Sequence, residues 1–472
     1  MNKMKTLKSL LWLSAFLLCI ASCSKEEVTE KIMEVPEGKV PVLTEITVDG
    51  VVQTNSRASS EAGYTSGDGL YDIDDQVTVS AVANEGYELV SFYDKNAPTT
   101  NLGSSYTFPA KVPLTFKAEF ARKYTISVSA SPTAGGSVSG GGVYRNGKSC
   151  TLTATANAGY VFDGWYEGST KLSSNASYSF TVSSNRTITG KFELIKFIAV
   201  GANGYIISPT KTQQIITESW RDITYGNGKF VAVGNYYMAS SSDGINWSCT
   251  SKYTGTIWES VMFENGLFLA VETVKKGAWT SVDGINWNTT SLSSYSIYGW
   301  GHGGGTFAIT TSMGKALIST NGVNWTEKTL STYVPTIAVS ENCMIIYTSG
   351  GFSYKSTDGG NSWESSGYDN KLYPTKIIHG DGKFITAYTQ GTSNSILGYI
   401  MEDGAFGIKP TSIDSSKKWI DVDFRNGKYA ALSKDGYYAV STDGINWSTP
   451  MQITDNSGKP VTANLNSICV MP

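Results

Sequence analysis

Short runs of alternating apolar and polar residues, separated by turn-forming residues, recur along most of the chain. In residues 76–83 (QVTVSAVA) every second residue is apolar, which is the period of a strand with one buried face. Residues 149–156 (SCTLTATA) show a similar pattern. In both places an Asn-x-Gly sequence follows and supplies a turn that tolerates positive φ. The pattern predicts an all-β protein.

These two strands belong to an internal repeat. A shift of 73 positions aligns residues 76–93 with residues 149–166, so that Gly86-Tyr87 meets Gly159-Tyr160 and Phe92-Tyr93 meets Trp165-Tyr166. Each copy continues with a further strand-like stretch, as repeat units of one supersecondary type do. We therefore predict two small β-modules, over 45–122 and 123–194.

The alternating strand, the Ala-Asn-x-Gly-Tyr turn and the following aromatic pair resemble the divergent internalin B-repeat family. The resemblance covers about residues 124–193 in the second module, and about 45–120, more loosely, in the first, which lacks the Gly-Trp pair. Members of this family are usually spacers or adhesive modules on bacterial surface proteins. The resemblance implies a spacer role and offers no catalytic residue. The acidic residues Asp68, Asp72, Asp74 and Asp75 fit no EF-hand spacing, so we interpret them as a solvated turn.

A second repeat, with a period of about 40 residues, fills residues 195–472. Each copy has a strand, an x-Gly-x-Gly turn, two further strands and a Ser-x-Asp-Gly-x-x-Trp sequence; copies begin near 220, 257, 296, 334, 372 and 418. The copy from 372 keeps only Glu402-Asp403-Gly404 of the last motif. The acidic (or Asn) and Trp positions of the five complete motifs are Asp243 and Trp247, Asp283 and Trp287, Asn321 and Trp325, Asp358 and Trp363, and Asp443 and Trp447.

The two ends of this array together make a seventh copy. Leu465 to Val470 aligns with the opening strand of the other copies, and Lys196 to Gly201 aligns with their second strand. Pairing of these segments would close the array into a ring with only short, protected sheet edges. We therefore predict a seven-bladed β-propeller over 195–472, after the two β-modules.

The Ser-x-Asp-Gly-x-x-Trp sequence resembles the Asp-box, or bacterial neuraminidase repeat. In such families this element lies on the turn between the third and fourth strands, opposite the ligand face, so the resemblance implies a structural role. Ser and Asp side chains bind turn amides, Gly adopts a left-handed conformation and Trp packs on the sheet.

The N-terminus predicts export and a lipid anchor. Lys3, Lys5 and Lys8 precede an apolar stretch of about eleven residues, too short for a membrane span, which ends in Ile-Ala-Ser before Cys23. This resembles the lipobox of bacterial lipoproteins, in which the cysteine is acylated; an ordinary secretory signal is the alternative. We assign 1–22 to the signal peptide and 23–44 to a tether. Ser24-Lys25-Glu26-Glu27 resembles a signal that exports lipoproteins to the cell surface, so we expect an outer-membrane protein facing outwards.

Composition narrows the classes of function. The formal net charge is −3, or −6 after removal of residues 1–22, which argues against nucleic acid as a partner. Cys150, Cys249, Cys343 and Cys469 are widely spaced without a CxxC, so we expect buried cysteines and neither a metal nor a cofactor site.

Catalysis finds little support in the sequence. A sialidase needs three arginines around the substrate carboxylate, and residues 195–472 contain only Arg221 and Arg425. Another glycosidase would need a close pair of carboxylates, which nothing in the sequence identifies. The unassigned candidates are Glu259, Glu264, Glu272, Glu327, Glu341 and Asp414. His302 and His379 precede Gly-containing turns at equivalent repeat positions, and we expect structural roles for both.

Aromatic residues mark the loops opposite the Ser-x-Asp-Gly motifs, where flat rings could stack on sugars or anchor a protein. The candidates for ligand binding are Tyr236, Tyr237, Trp279, Trp300, Tyr437 and Tyr438. We therefore expect a surface lipoprotein whose propeller binds a glycan or a protein. A glycan-active hydrolase other than a sialidase, and a scaffold for an envelope complex, remain alternatives.

Overall fold

The computed structural model describes ten segments of the chain: residues 35–53, 59–250, 253–274, 277–292, 296–330, 336–348, 351–368, 372–390, 394–403 and 407–472. Cys23 and the predicted signal peptide lie outside the described residues. The chain forms two compact units, which divide between Arg122 and Lys123. Nearly all regular structure is β-strand, and the helical segments within these ten ranges are two 3-10 turns, Thr133–Gly135 and Ala202–Gly204. None of the helices described here could cross a bilayer.

The first unit contains two packed sheets. Its strands are β1 (Lys39–Val48), β2 (Val51–Val52), β3 (Ser59–Ser60), β4 (Gly63–Ser66), β5 (Gly69–Asp72), β6 (Gln76–Ala83), β7 (Tyr87–Asp94), β8 (Ser105–Pro109) and the first part of β9 (Leu114–Ser131). Strand β1 pairs in parallel with β9 and antiparallel with β5, and a second sheet has the order β3-β4-β6-β8. Phe92, Phe116 and Phe120 are buried between the sheets.

The first module begins earlier than the predicted boundary at residue 45. Strand β1 starts at Lys39, within the segment assigned to the tether, and buries Val40 and Val42 in the core of the unit. The charged residues and prolines of 24–44 suggested a solvated linker. Burial alternates along the strand from Val40 through Val42 and Thr44 to Ile46, so the chain already belongs to the module before residue 45.

The second unit starts with a module of the same kind. Its strands are the remainder of β9, β10 (Gly136–Ser139), β11 (Gly142–Arg145), β12 (Ser149–Ala156), β13 (Tyr160–Glu167), β14 (Thr170–Ser173), β15 (Ser177–Thr181) and β16 (Arg186–Leu194). Strand β16 pairs in parallel with β9, and β10, β12 and β15 form a separate sheet around the buried Trp165. Strands β6 and β12 occupy the positions that the 73-residue shift predicts, and both turn glycines, Gly86 and Gly159, have φ near +80°.

The rest of the second unit is a ring of four-stranded antiparallel sheets, numbered here in chain order. Sheet 1 contains β17 (Phe197–Gly201), β18 (Tyr205–Ser208) and β19 (Lys211–Gln214). Sheet 2 contains β20 (Trp220–Gly226), β21 (Lys229–Gly234), β22 (Met238–Ser241) and β23 (Ser248–Cys249). Sheet 3 contains β24 (Trp258–Glu264), β25 (Leu267–Glu272), β26 (Gly277–Ser281) and β27 (Asn288–Ser291). Sheet 4 contains β28 (Ile297–Gly303), β29 (Thr306–Thr311), β30 (Lys315–Ser319) and β31 (Thr326–Thr329).

Three further sheets complete the ring. Sheet 5 contains β32 (Thr336–Val339), β33 (Met344–Tyr347), β34 (Phe352–Ser356) and β35 (Glu364–Tyr368). Sheet 6 contains β36 (Leu372–Gly380), β37 (Lys383–Gln390), β38 (Asn394–Met401) and β39 (Lys409–Pro410). Sheet 7 contains β40 (Trp419–Arg425), β41 (Lys428–Ser433), β42 (Tyr437–Ser441) and β43 (Met451–Gln452). Each first strand contacts the first strand of the next sheet, so the arrangement is propeller-like, with a central channel.

The last strand of the chain completes the first sheet, as the repeat alignment predicts. Strand β44 (Leu465–Val470) pairs antiparallel with β17, from Phe197 opposite Val470 to Val200 opposite Ser467. It also contacts the first strands of sheets 2 and 7. Sheet 1 is therefore built from both ends of the repeat array, which closes the ring.

The second module packs directly against this closing region. Val161 and Ile195 share a buried apolar cluster with Val440 and Ile453, and the Lys428 ammonium forms an ion pair with Glu193. The contacts involve sheets 1 and 7. The second module and the ring therefore share one apolar cluster, beside the module's own core around Trp165.

The Ser-x-Asp-Gly turns lie between the third and fourth strands of their sheets. In sheet 2 the Asp243 carboxylate accepts hydrogen bonds from the backbone N–H groups of Ile245 and Asn246, both at 2.8 Å, while Ser241 Oγ accepts the Gly244 N–H at 2.9 Å. Gly244 has φ +72°, and an added Cβ would lie 2.5 Å from Ile198 Cδ1 of sheet 1. The turn therefore requires glycine and locks one sheet against its neighbour.

The same geometry recurs around the ring. The carboxylates of Asp283, Asp358 and Asp443 accept turn N–H groups, and Asn321 Oδ1 does so in sheet 4. The indole Nε1 atoms of Trp247, Trp325 and Trp447 donate to the carbonyl of the turn glycine, whereas those of Trp287 and Trp363 have no partner among the described residues. These five tryptophans are half-buried.

The turn carboxylates should make stability depend on acid pH. Backbone hydrogen bonds lower the pKa of Asp243 and Asp283, and hydrogen bonds from Ser362 lower the pKa of Asp358 to about 2. A carboxyl group whose pKa is lowered by folding stabilises the native state above its unfolded pKa of about 3.9, and this stabilisation is lost as the pH falls through the folded value. We expect urea unfolding to show stability falling between pH 4 and pH 2.

Asn321 of sheet 4 shows that asparagine can take the place of aspartate in these turns, and this suggests a control variant. A variant with Asp243, Asp283, Asp358 and Asp443 replaced by Asn keeps the acceptor oxygen but has no charge to titrate. It should remain folded and lose much of the stability change between pH 4 and pH 2. An acid dependence equal to that of the unchanged chain would contradict the role assigned to these turns.

Candidate functional site

The two faces of the ring are distinguished by their turns. In each antiparallel sheet the turns after the first and third strands lie at one end, and the remaining connections lie at the other. Asn227, after the first strand of sheet 2, donates to the Val282 carbonyl in the Ser-x-Asp-Gly turn of sheet 3, so both turns lie on one face, called the lower face. The upper face carries the connections between second and third strands and between successive sheets.

An aromatic cluster lies on the upper side of sheets 2 and 3. The rings of Tyr253, Trp258 and Trp279 meet edge to face, with centroids 5.2 to 5.6 Å apart. Trp258 starts the first strand of sheet 3 and is fully buried, whereas Tyr253 and Trp279 are half-buried. Such geometry satisfies the quadrupoles of the rings and fixes their orientation. The two partly exposed rings therefore present fixed surfaces at the rim.

Tyr236 is held beside this cluster in an unusual backbone conformation. Its φ is +69°, and the other non-glycine residues with φ in this region, among those described, are Asn or Asp. Its N–H donates to the Thr256 carbonyl at 3.0 Å, and its carbonyl accepts the Tyr253 N–H at 2.8 Å. Positive φ is costly for a bulky side chain and persists where surrounding structure imposes it, commonly at binding sites.

Planar polar groups occur on the same chain segments as the aromatic residues, since Asn235 precedes Tyr236 and Glu259 follows Trp258. Arg221 donates from Nε to Asn235 Oδ1 at 2.8 Å and from an NH group to Glu259 Oε2 at 2.7 Å. The Arg221 and Glu259 side chains are 37% and 25% exposed, so the network is open to solvent. The second Glu259 oxygen lies 3.5 Å from Thr273 Oγ1. Open donors and acceptors and partly exposed rings thus belong to neighbouring connections of the upper face, and small-ligand sites use both kinds of group.

A buried carboxylate holds the indole of Trp279 from the upper end of the neighbouring strand. Glu272 ends the second strand of sheet 3 and is 2% exposed, and its Oε2 accepts the Trp279 Nε1–H at 3.2 Å. Because this bond orients the indole, Trp279 is positioned by a polar contact as well as by packing. We call the group formed by Tyr236, Tyr253, Trp279, Arg221, Asn235 and Glu259 the Tyr236–Trp279 site.

The structure brings together only part of the predicted ligand set. Tyr236 and Trp279 belong to one site, with Tyr253 between them, and the neighbouring Tyr237 packs against the core of sheets 1 and 2. Trp300 lies on the first strand of sheet 4 and lines the central channel. Tyr253 was missed because it lies in a connection without any repeat motif.

Tyr437 and Tyr438 lie elsewhere on the ring and have other contacts. The Lys417 ammonium lies 3.7 Å from the centre of the Tyr437 ring. Tyr438 packs against Phe197, with ring centroids 4.6 Å apart, and its hydroxyl contacts Met451 Sδ at 3.3 Å. Since Tyr438 lies in the contact between the second module and the ring, we remove it from the ligand set. Burial raises the pKa of its hydroxyl.

Charged side chains cross the channel near its upper end. Lys376 Nζ lies 2.7 Å from Asp421 Oδ1 and 3.4 Å from Asp222 Oδ1, and Asp222 also accepts hydrogen bonds from the Ser260 and Ser467 hydroxyls. Both carboxylates are buried, whereas a third of the Lys376 side chain is accessible from the channel. Trp-x-Asp occurs at the start of both β20 and β40. This repeated sequence is the signal from which the two aspartates could have been predicted to occupy equivalent positions in the channel.

The electrostatics of this group follow from burial. Burial acts to lower the pKa of Lys376, but attraction to Asp222 and Asp421 outweighs it, and the pKa is raised. Burial raises the pKa of Asp421 against the attraction of the ammonium group. Lys376 is thus held as a cation between the two buried carboxylates.

The histidines of the ring pair with glutamates of neighbouring elements. His302 Nδ1 lies 3.1 Å from Glu264 Oε2, and His379 Nε2 lies 3.2 Å from Glu402 Oε2. Among the described residues, no cluster of His, Cys, Asp or Glu is arranged to hold a metal ion. Cys150, Cys343 and Cys469 are buried as expected, but Cys249 is exposed, because it lies on the short outer strand of sheet 2.

Residues 53–124 and 126–196 each match the divergent InlB B-repeat domain. No curated protein matches the chain. Similar solved structures include YCF48 bound to D1 peptide (16% identity, 57% of this chain and 87% of that chain, TM-score 0.41) and a streptogramin B lyase (12%, 56% and 90%, TM-score 0.44). A virginiamycin B lyase from Staphylococcus aureus is similar at 12% identity, over 54% of this chain and 87% of that chain, with a TM-score of 0.42. These structures are β-propeller-like, and at this identity the likeness concerns the fold alone.

Proposed function

We propose that this chain is a cell-surface binding protein whose ring holds a glycan in the Tyr236–Trp279 site. The observation that carries the proposal is the cluster of two fixed, partly exposed rings, Tyr253 and Trp279, around Trp258, whose chain neighbour Glu259 forms an open ion pair with Arg221. A sugar presents an apolar ring face and a rim of hydroxyl groups. The aromatic rings can stack on the apolar face of the sugar, and the arginine, carboxylate and amide groups can hydrogen-bond its hydroxyl groups.

The proposal includes the finer architecture predicted from the sequence. Two InlB B-repeat-like modules act as a spacer, and a seven-bladed β-propeller stabilised by Asp-box turns presents the site on the face opposite those turns. The signal peptide directs export and is removed, and the acylated Cys23 attaches the protein to the outer membrane, with the ring outside the cell. The match of residues 53–124 and 126–196 to a repeat domain supports the spacer role.

The lipid anchor yields its own prediction. Replacement of Cys23 by Ala removes the thiol that would be acylated, so the protein should move from the membrane fraction to the soluble fraction. The measurement is fractionation followed by immunoblotting, with Cys249→Ala as the matched cysteine control. A Cys23→Ala protein that stays with membranes would contradict the anchor.

Binding is tested on a glycan array with the purified chain and two site variants. We expect selective binding without cleavage, weakened at least about tenfold by Trp279→Ala and by Tyr236→Gly, since a buried aromatic anchor at an interface contributes about 2 kcal/mol or more. Tyr236→Gly removes the ring but suits the φ of +69°. Its stability should therefore stay close to that of the unchanged chain.

The control and the alternative outcomes separate the possible functions. Trp325→Ala removes a half-buried tryptophan from the lower face and should leave binding unchanged. Cleaved glycan on the array would establish the hydrolase alternative. An array without binding would overturn the glycan proposal and favour a protein partner, which a pull-down from envelope extract would then seek.

A further inference from the structure

A polar groove on the upper side of sheet 1 is separate from the Tyr236–Trp279 site. It has a volume of about 450 Å³ and lies between the outer strands of sheet 1 and the connection from β43 to β44. The residues that define it are Tyr205, Thr212, Gln214, Asp455, Asn456 and Thr462. We call it the Tyr205–Asn456 groove. Its size lies within the usual range of small-ligand sites.

The connection that forms one wall is built to a fixed shape. Asp455 Oδ1 accepts the backbone N–H groups of Ser457 and Lys459, at 2.8 and 3.0 Å, and Thr454 bridges to Pro460. Asn456 Oδ1 then accepts the Thr212 N–H at 3.0 Å, which fastens this wall to the outer strand of sheet 1. The groove is therefore preformed.

Several polar groups in the groove have unused hydrogen-bonding capacity. Asn456 uses its oxygen on Thr212, and Gln214 uses its Nε2 on the Asn203 carbonyl at 3.0 Å. The Asn456 amide nitrogen remains as a donor and the Gln214 amide oxygen as an acceptor, since neither has a bond within the part of the chain that is described. Thr212 Oγ1 is buried without a partner among those residues. That hydroxyl is closed to solvent, so contacts with a ligand fall to the two amide groups.

The chemistry of the lining selects a class of ligand. The residues that line the groove include one ionisable carboxylate, Asp455, already bonded to turn amides, and no lysine or arginine. A phosphate or a carboxylate ligand would lack a cation to bind. A protein partner would need aromatic or arginine anchors, whereas the groove offers Tyr205 and otherwise mainly amides and hydroxyls.

We propose that the Tyr205–Asn456 groove binds a neutral oligosaccharide. A donor amide and an acceptor amide suit sugar hydroxyl groups, and the Tyr205 ring suits the apolar face of a pyranose. The groove is a second site on the same upper face as the Tyr236–Trp279 site, and it does not depend on that site. If both sites hold one polysaccharide chain, the second binding step is intramolecular, and avidity exceeds either affinity.

The test is affinity electrophoresis of the full chain in gels that contain a soluble neutral polysaccharide: dextran, xylan or galactomannan. The background is Tyr236→Gly, so that the Tyr236–Trp279 site does not contribute. We expect retardation by at least one of the three polymers, reduced at least about fivefold by Gln214→Ala and by Tyr205→Ala. Gln452→Ala is the matched control, because Gln452 also lies on a fourth strand and donates to a backbone carbonyl, at 3.1 Å.

A Thr212→Val variant tests the outer strand separately from binding. Valine has the shape of threonine without the unbonded hydroxyl, so the melting temperature should be unchanged or higher, and retardation should stay the same because that hydroxyl is closed to solvent. Retardation that the Tyr205 and Gln214 variants leave unchanged would overturn the proposal. So would the absence of retardation by all three polymers, or equal retardation by polygalacturonate. If the unchanged chain is retarded and the Tyr236→Gly chain is not, all glycan binding belongs to the Tyr236–Trp279 site and the proposal is overturned.

Discussion

Deletion of residues 465–472 is expected to prevent folding of the ring. The deletion removes strand β44 and with it three buried apolar side chains, Leu465, Ile468 and Val470. At about 1.5–3 kcal/mol for each, the loss is comparable to the whole stability of an ordinary domain. It also leaves β17 as an open edge in the middle of a ring.

The same strand satisfies carboxylates on both of its neighbours. The Ser467 hydroxyl donates to Asp222, and the backbone N–H groups of Ile468 and Val470 donate to Asp421 and Asp423. Without them, three carboxylates of the channel lose hydrogen-bond partners, which adds to the cost of the deletion. The protein should therefore aggregate or degrade on expression.

The measurement compares soluble yield and thermal unfolding of the deleted chain with a chain lacking Pro472 alone, which lies beyond the strand. A synthetic peptide of residues 463–472, added during refolding, should restore part of the soluble ring. A deleted chain that unfolds within a few degrees of the control would show that the ring does not depend on β44.

Replacement of Lys376 by Met is expected to cost about 3–5 kcal/mol, the usual effect of removing one partner from a buried ion pair. Met keeps the length and apolar stem of lysine but leaves Asp222 and Asp421 buried without their cation. The matched control is Lys428→Met, because Lys428 pairs with the half-exposed Glu193. A surface pair of that kind contributes no more than about 1 kcal/mol.

Two further results test the cause of this loss. Without the cation the pKa of Asp421, already raised by burial, should rise further. A carboxyl group whose pKa is raised by folding stabilises the native state as it becomes protonated, so Lys376→Met should recover stability as the pH falls through the folded value. Asp421→Asn in the Lys376→Met background should also recover part of the loss. A single variant with unchanged unfolding would show that the ion pair contributes nothing.

Much of the ring could be predicted because its signals are local and repeated. The Trp at the start of a first strand, the Asn-Gly turn after it and the Ser-x-Asp-Gly turn each report the conformation of a few neighbouring residues, and Gly228 and Gly244 indeed have positive φ. The pairing of β17 with β44 could be predicted because the two ends of the array each match a different strand of the same repeat unit. The copy from 372 has lost the Ser-x-Asp-Gly turn but keeps the Gly380-Asp381-Gly382 turn and its four strands.

The candidate site could be predicted only in part, because it depends on distances between connections that lack motifs. Tyr236 and Trp279 are 43 positions apart in the chain. Tyr253 connects them, because its N–H donates to the Tyr236 carbonyl and its ring contacts the Trp279 ring. Tyr438 had the same kind of sequence environment, yet it packs against Phe197. Aromatic content indicates the face of the ring but does not distinguish a packed ring from an exposed one.

Hydrogen–deuterium exchange tests the central claim most directly. The purified chain is compared with and without the array glycan that it binds most strongly. Slower exchange in peptides that cover residues 235–256 and 272–281 is the result the account predicts, because Asn235, Tyr236, Tyr253 and Trp279 of the site lie in those peptides. Protection confined to the Ser-x-Asp-Gly turns of the lower face, or to the β-modules, would contradict it.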